Sequence, residues 1–142
     1  MMLTQHSLIG VRDPYGIRPL VIGKLGNSYV LASETCALDI IGAKFVRDVE
    51  NGEIVLIDND KLTSIKPFPP KKVRPCVFEY IYFARPDSII DGKTAYEHRK
   101  NIGKELAKEN KIDADIVVPV PDSGNAAAPV SYTHLRAHET IP

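Results

Sequence analysis

Residues 67 to 75, PFPPKKVRP, hold four of the chain's eleven prolines. Proline fixes φ and removes a backbone donor, so no helix or interior strand can run through this stretch. It must be an extended connection, and whatever precedes it has to bury its apolar residues separately from whatever follows. A boundary between two folding units is therefore expected here.

Before the boundary the pattern is that of short strands. SLIGVRD, RPLVIGKL and NSYVLASE are apolar runs separated by the turn signals Asp13-Pro14-Tyr15-Gly16 and Gly26-Asn27. Sequential antiparallel pairing of the three is the expectation. Ser33 is placed to cap a short helix over CALDII, with Glu34 complementing its dipole and Gly42 ending it. FVRDV, GEIVLID and KLTSIKPF follow as further strands, with Asp58-Asn59-Asp60 as a hairpin turn. The half reads as a layered α+β unit that starts in mid-sheet.

After the boundary, CVFEYIYF suits a buried strand or a short helix equally well. TAYEHRKNIGKELAKENK has helical spacing, with Ala95, Arg99, Ile102, Leu106 and Ala107 close to one face and His98 on a charged, solvated side. ADIVVPV then reads as a fully buried strand, and a helix followed by such a strand points to a parallel α/β unit. That strand runs into Pro121-Asp122-Ser123-Gly124-Asn125 and an alanine run. The turn would set backbone N–H groups, a hydroxyl and a carboxylate at the carboxyl edge of a sheet, where phosphates and their magnesium ions bind. An ordinary capped turn fits the same tetrapeptide PDSG.

Composition narrows the function classes. Eighteen basic and eighteen acidic residues leave no net charge, which argues against nucleic acid as a partner. No apolar run nears the ~20 residues of a membrane span, and the first residues lack a signal-peptide pattern. A cytoplasmic protein with no membrane partner is the expectation. Cys36 and Cys76 are too few for a disulfide framework.

Three stretches carry a family resemblance: GVRDPYGIRPLVIGKLGNSYVLASETCALDIIGAKFVRDVENGEIVLID, CVFEYIYFARPDSIIDG and ADIVVPVPDSGNAAA. Together they resemble the amidophosphoribosyltransferases, also called glutamine phosphoribosylpyrophosphate amidotransferases, as far as Ala128. The resemblance implies an enzyme of purine biosynthesis that releases ammonia from glutamine and uses it to make phosphoribosylamine from phosphoribosyl pyrophosphate. Residues 1–66 resemble the C-terminal part of an N-terminal-nucleophile glutaminase domain. Residues 67–75 resemble the connection, and residues 76–128 the start of a type I phosphoribosyltransferase domain. A homo-oligomer, dimer or tetramer, is implied for the full-length enzyme.

The resemblance also assigns roles. Ser123 matches a magnesium ligand, and Asp122, Ser123, Gly124 and Asn125 match a pyrophosphate loop. Cys76 matches the first ligand of a 4Fe-4S cluster found in one branch of the family, with a buried thiol as the alternative. The family's nucleophile is an N-terminal cysteine, which neither Cys36 nor Cys76 matches, and the downstream acidic phosphoribosyl loop is missing. No catalytic residue is therefore expected within this chain, and the chain by itself is expected to be inactive. Arg12, Asp13 and Arg18 are expected to form a turn-stabilising ion pair, with approach to substrate as the alternative.

Two other classes compete. A relative that transfers ammonia to another acceptor accounts for RDPYGIRPL but not for the PDSGN loop. A small phosphate-binding module would need a closed core that the mid-sheet start opposes. Finally, VSYTHLRAHET resembles the translation of an adapter from transposase-based sequencing libraries, with a disordered tail carrying two surface histidines, and so a metal site, as the alternative. Residues 129–142 are accordingly expected to be foreign and without a helix, although His134 and His138 have i, i+4 spacing.

Overall fold

The computed structural model describes residues 1–135 and 139–140. The chain is mixed α/β and divides into two compact units, Met1–Val77 and Phe78 onward. Each is described by itself.

The first unit holds β1 (Met2–Leu3), β2 (Ser7–Val11), β3 (Val21–Leu25), β4 (Ser28–Ala32), α1 (Thr35–Ile40), β5 (Lys44–Asp48), β6 (Ile54–Asp58) and β7 (Lys61–Ile65). They form two antiparallel sheets, ordered β1-β2-β6-β7 and β4-β3-β5. This corrects the expected sequential meander. β2 pairs with β6, not with β3, so the Asp13–Gly16 turn carries the chain from one sheet to the other instead of closing a hairpin. The reason is side-chain alternation: Leu20, Ile22, Leu31 and Val49 on one sheet meet Val55 and Ile57 on the other in a single core, which pairing β2 to β3 would have split. The opposite face of the second sheet offers Val21 and Ala32 to Leu38 of α1, completing a third layer.

Two short connections have the geometry that their residues dictate. Gly26-Asn27 links β3 to β4 with Gly26 at φ 58°, and Asn59 and Asp60 link β6 to β7, both left-handed as a type I′ turn requires. α1 begins at Thr35 with Glu34 as the extended residue before it, so the expected Ser33 cap lies one residue too early. Gly42, at φ 72°, ends the helix as its sequence position implies, with its amide bonded to Asp39 O.

The proline-rich stretch is extended and exposed as far as Pro75. It is also fastened to the first unit: the amides of Arg74 and Cys76 donate to the carbonyls of Tyr15 and Ile17, 2.8 and 2.9 Å away.

The second unit begins with a π-helical turn, Glu79–Phe83, so CVFEYIYF becomes a short helix and not a strand. β8 (Ile89–Ile90) and β9 (Lys93–Thr94) form a small hairpin leading into α2 (Ala95–Glu109). Thr94 and Glu97 make a reciprocal capping box at its start. β10 (Ile116–Val117), a 3₁₀ turn (Ser123–Ala126), α3 (Ala128–Leu135) and β11 (Glu139–Thr140) complete the described elements.

Four expectations are corrected in this unit. The buried face of α2 is Ala95, Arg99, Gly103 and Ala107, whereas Ile102 and Leu106 are exposed. His98 is not a solvated side chain: it is half-buried, its Nε2 lies 2.9 Å from Ile90 O, and its ring meets Tyr80 edge-on. The expected buried strand ADIVVPV reduces to the two residues of β10, Ile116 exposed and Val117 half-buried, joined in parallel to β11. Pro119 and Pro121 remove ladder donors from the rest of it. Lastly, α3 occupies residues expected to be helix-free. Its hydroxyls supply local support, Ser131 Oγ donating to Ala127 O and Thr133 Oγ1 to Val130 O. His138 lies outside the described residues, as does the side chain of His134.

Candidate functional site

The segment Pro121–Asn125 follows β10 and leads into α3, so its position is set by what holds its two ends. On the far side, Ala126 and Ala128 are buried, and the α2 backbone at Gly103 faces Ala127. A Cβ added at Gly103 would fall 2.5 Å from Ala127 O and 2.9 Å from Ala127 Cα. On the near side, Gly124 lies against Pro119, at ordinary contact distance for an added Cβ.

Between these anchors the predicted residues are brought together as consecutive members of one turn. Asp122 and Asn125 are exposed, and Ser123 and Gly124 are half-buried. The amide of Gly124 donates to Val120 O at 3.0 Å, that of Asn125 to Asp122 O at 3.2 Å, and that of Ala127 to Gly124 O at 3.1 Å. This changes the expected chemistry. Two of the N–H groups expected to face a phosphate, those of Gly124 and Asn125, are used in closing the turn itself. Ser123 offers a hydroxyl oxygen and Asp122 a carboxylate beside it. Hard oxygen donors of this kind suit magnesium, which takes most of its remaining ligands from water and substrate phosphate. The donor set fits such a partly filled ion; among the described residues no group of three or more His, Cys, Asp or Glu could hold a metal alone.

Cys76 belongs to the first unit, half-buried, with its amide bound to Ile17 O. The chain's other thiol, Cys36, is buried in α1 and contacts Glu34 Oε2 at 3.5 Å. A cubane cluster needs four thiolates, and two cysteines cannot supply them. This chain could therefore supply at most part of such a ligand set.

The RDPYGIRPL turn is a brace for the backbone. Arg12 donates to Val49 O at 2.8 Å and Arg18 O at 3.2 Å, and the Asp13 carboxylate accepts from the amides of Tyr15 and Ile17, both at 2.9 Å. The expected turn stabilisation is present, but these bonds run from Arg12 and Asp13 to main chain and not to each other. Asp87 pairs through both oxygens with Arg85, at 2.8 and 2.7 Å, and this hydrogen-bonded guanidinium holds its carboxyl below the usual range.

Sequence reasoning missed one buried polar centre. Glu53, 1% exposed, accepts from Arg47 through both guanidinium nitrogens (2.8 and 2.6 Å), from Ser64 Oγ and from the Glu50 amide (each 2.6 Å). These bonds, the Arg47 pair foremost, pull its carboxyl down to about 2. The signal was weak: a glutamate opening a strand after Asn51-Gly52 looks like a surface residue. It ties β5 and β7 to the start of β6.

No protein-family model matches the chain. Among curated proteins it is similar to an amidophosphoribosyltransferase of Rhizobium etli, 52% identical over 152 aligned positions, covering 97% of this chain and 31% of that protein. An amidophosphoribosyltransferase of Synechocystis is 56% identical over 128 positions, covering 88% of this chain and 26% of the relative. Among solved structures, the glutamine phosphoribosylpyrophosphate amidotransferase of B. subtilis, complexed with ADP and GMP, superposes with a TM-score of 0.88 at 44% identity. The match covers 95% of this chain and 30% of that one. The chain thus spans less than a third of the length of these relatives.

Proposed function

Because the chain belongs to the amidophosphoribosyltransferase family, we propose that it is the part of such an enzyme that joins its two activities. Residues 1–66 are the C-terminal part of the glutaminase domain, 67–75 the connection and 76–128 the beginning of the phosphoribosyltransferase domain. The whole enzyme takes ammonia from glutamine and uses it to displace pyrophosphate from phosphoribosyl pyrophosphate, making phosphoribosylamine. It works in the cytoplasm as a homo-oligomer.

One observation carries the reading: Asp122 and Ser123, a carboxylate and a hydroxyl residue adjacent in the chain, stand in a turn where the amides of Gly124 and Asn125 are engaged. In this reading Ser123 would help to hold magnesium beside the pyrophosphate loop of residues 122–125, and the ion would supply positive charge there. Asn125, exposed at the end of the same turn, has an amide side chain available to orient the substrate. The chain's own contribution is to hold and orient the substrate. Neither Cys36, buried in α1, nor Cys76 is positioned as an N-terminal nucleophile, so the isolated chain releases no ammonia.

The tail bears on where the native sequence stops. The likeness of VSYTHLRAHET to a translated adapter supports a foreign origin for residues 129–142. Against it stand α3 and the Rhizobium alignment, whose 97% coverage leaves only a handful of residues outside and so enters the tail. The nucleotide record across codon 129 decides between them: genomic sequence in place of adapter ends the foreign reading.

The test of function uses the full-length enzyme. Replacing Ser123 by alanine should weaken the response to phosphoribosyl pyrophosphate and magnesium by about 1.5 to 3 kcal/mol, the range for a hydrogen bond to a charged group. Glutamine hydrolysis, which belongs to the other domain, should stay near normal. An unchanged magnesium and phosphoribosyl pyrophosphate dependence would remove Ser123 from the site.

A further inference from the structure

Gly103 is buried in the middle of α2, where alanine would be the better helix former. Its lack of a side chain therefore calls for a reason outside the helix. The reason lies in the geometry opposite it: the carbonyl oxygen, Cα and carbonyl carbon of Ala127 all come within 3.0 Å of where a Cβ would be. These are main-chain atoms, unable to rotate aside as the end of a side chain can. Ala127 is in turn tied to the loop, because its amide donates to Gly124 O, one residue from Ser123. Ala126 and Ala128, on either side, are buried and resist sliding.

We propose that Gly103 is a positioning residue for the 122–125 loop: the bare α2 backbone seats Ala127, and the 3₁₀ turn passes that position on to Ser123 and Asp122. The inference rests on the reading of this loop as the phosphoribosyl pyrophosphate site. The relay residues precede residue 129, but α3 shares in holding the contact: the Ala127 carbonyl accepts from the amides of Val130 and Ser131, and Ser131 Oγ donates to Gly103 O at 3.1 Å. A Cβ at position 103 must push the Ala127 backbone outward, and the turn moves with it. The consequence is a metal and substrate site displaced from its working position without loss of any group that touches either.

The test compares Gly103→Ala, Ser123→Ala and the exposed control Leu106→Ala in the full-length enzyme. Gly103→Ala should raise the KM for phosphoribosyl pyrophosphate tenfold to a hundredfold, on the order expected for sub-ångström to ångström misplacement. The KM and kcat for glutamine hydrolysis should not move, and Leu106→Ala should leave both activities unchanged. A folded Gly103→Ala enzyme with wild-type KM for phosphoribosyl pyrophosphate overturns the proposal, as does one in which both activities fall together with the Tm. Should Ser123→Ala alone raise that KM, only the role of Gly103 fails. Should Ser123→Ala also be silent, the loop reading itself fails. If Gly103→Ala does not fold, hydrogen exchange on the wild-type enzyme decides: magnesium and phosphoribosyl pyrophosphate should slow the amides of residues 100–107, and no slowing there refutes the relay.

Discussion

Replacing Glu53 by glutamine keeps the shape of the side chain and removes its charge, so it isolates what the buried carboxylate contributes to the first unit. In the folded chain its carboxyl is lowered to about 2, from a reference value of 4.5. A depressed folded value means that the unfolded chain binds the proton more readily, so the stabilisation is complete above the unfolded value and is lost as pH falls from about 4.5 to about 2. At 1.36 kcal/mol per pKa unit the full effect is about 3 kcal/mol. Arg47, whose side chain is 36% exposed, is partly solvated, which brings the figure to about 2 kcal/mol. Urea unfolding of the 142-residue chain, followed by circular dichroism, should show Glu53→Gln less stable by that amount at pH 7 and nearly equal to wild type at pH 2. The variant should also lose most of the acid-induced decline below pH 4.5. An undiminished decline in Glu53→Gln would show that other carboxylates set the acid response and would refute the assignment.

Two further substitutions probe local structure. Gly16→Ala should destabilise the first unit by about 1 to 2 kcal/mol or more, because φ is +66° there and the Asn51 side chain occupies the Cβ position; a thermal melt within a degree of wild type would count against it. Thr94→Ala removes one half of the capping box of α2 and should cost about 1 kcal/mol, measurable as faster hydrogen exchange at residues 95–98.

Much of the site was legible because it is local. Asp122, Ser123, Gly124 and Asn125 are neighbours in the chain, so their juxtaposition needed only a turn, and PDSGN followed by alanines signals one. What the turn does with its amides was not legible. The hydrogen bonds from Gly124 to Val120 and from Asn125 to Asp122 depend on how tightly the turn closes, and closure depends on Pro119 on one side and α2 on the other. Glu53 escaped notice for a related reason: its partners Arg47 and Ser64 come from different strands, and no spacing rule links them.

By itself the sequence determined the punctuation of this protein. The prolines of 67–75 restrict φ and remove donors, and Gly26, Asn59, Asp60 and Gly42 tolerate the left-handed backbone of turns and helix ends, so they mark connections, hairpins and a helix end without reference to distant contacts. Tertiary structure alone decided which strands pair and which face of α2 is inside. β2 chose β6 over β3 because that register lets Val55 and Ile57 join Leu20, Ile22 and Val49 in one core. On α2, Arg99 displaced Ile102 and Leu106 from the buried face because the carbonyls of Tyr80 and Ala84 at the π-helical turn could accept its guanidinium, at 2.9 and 2.7 Å. Burial there followed the availability of acceptors on a neighbouring element, a property that hydrophobic periodicity within one helix does not encode.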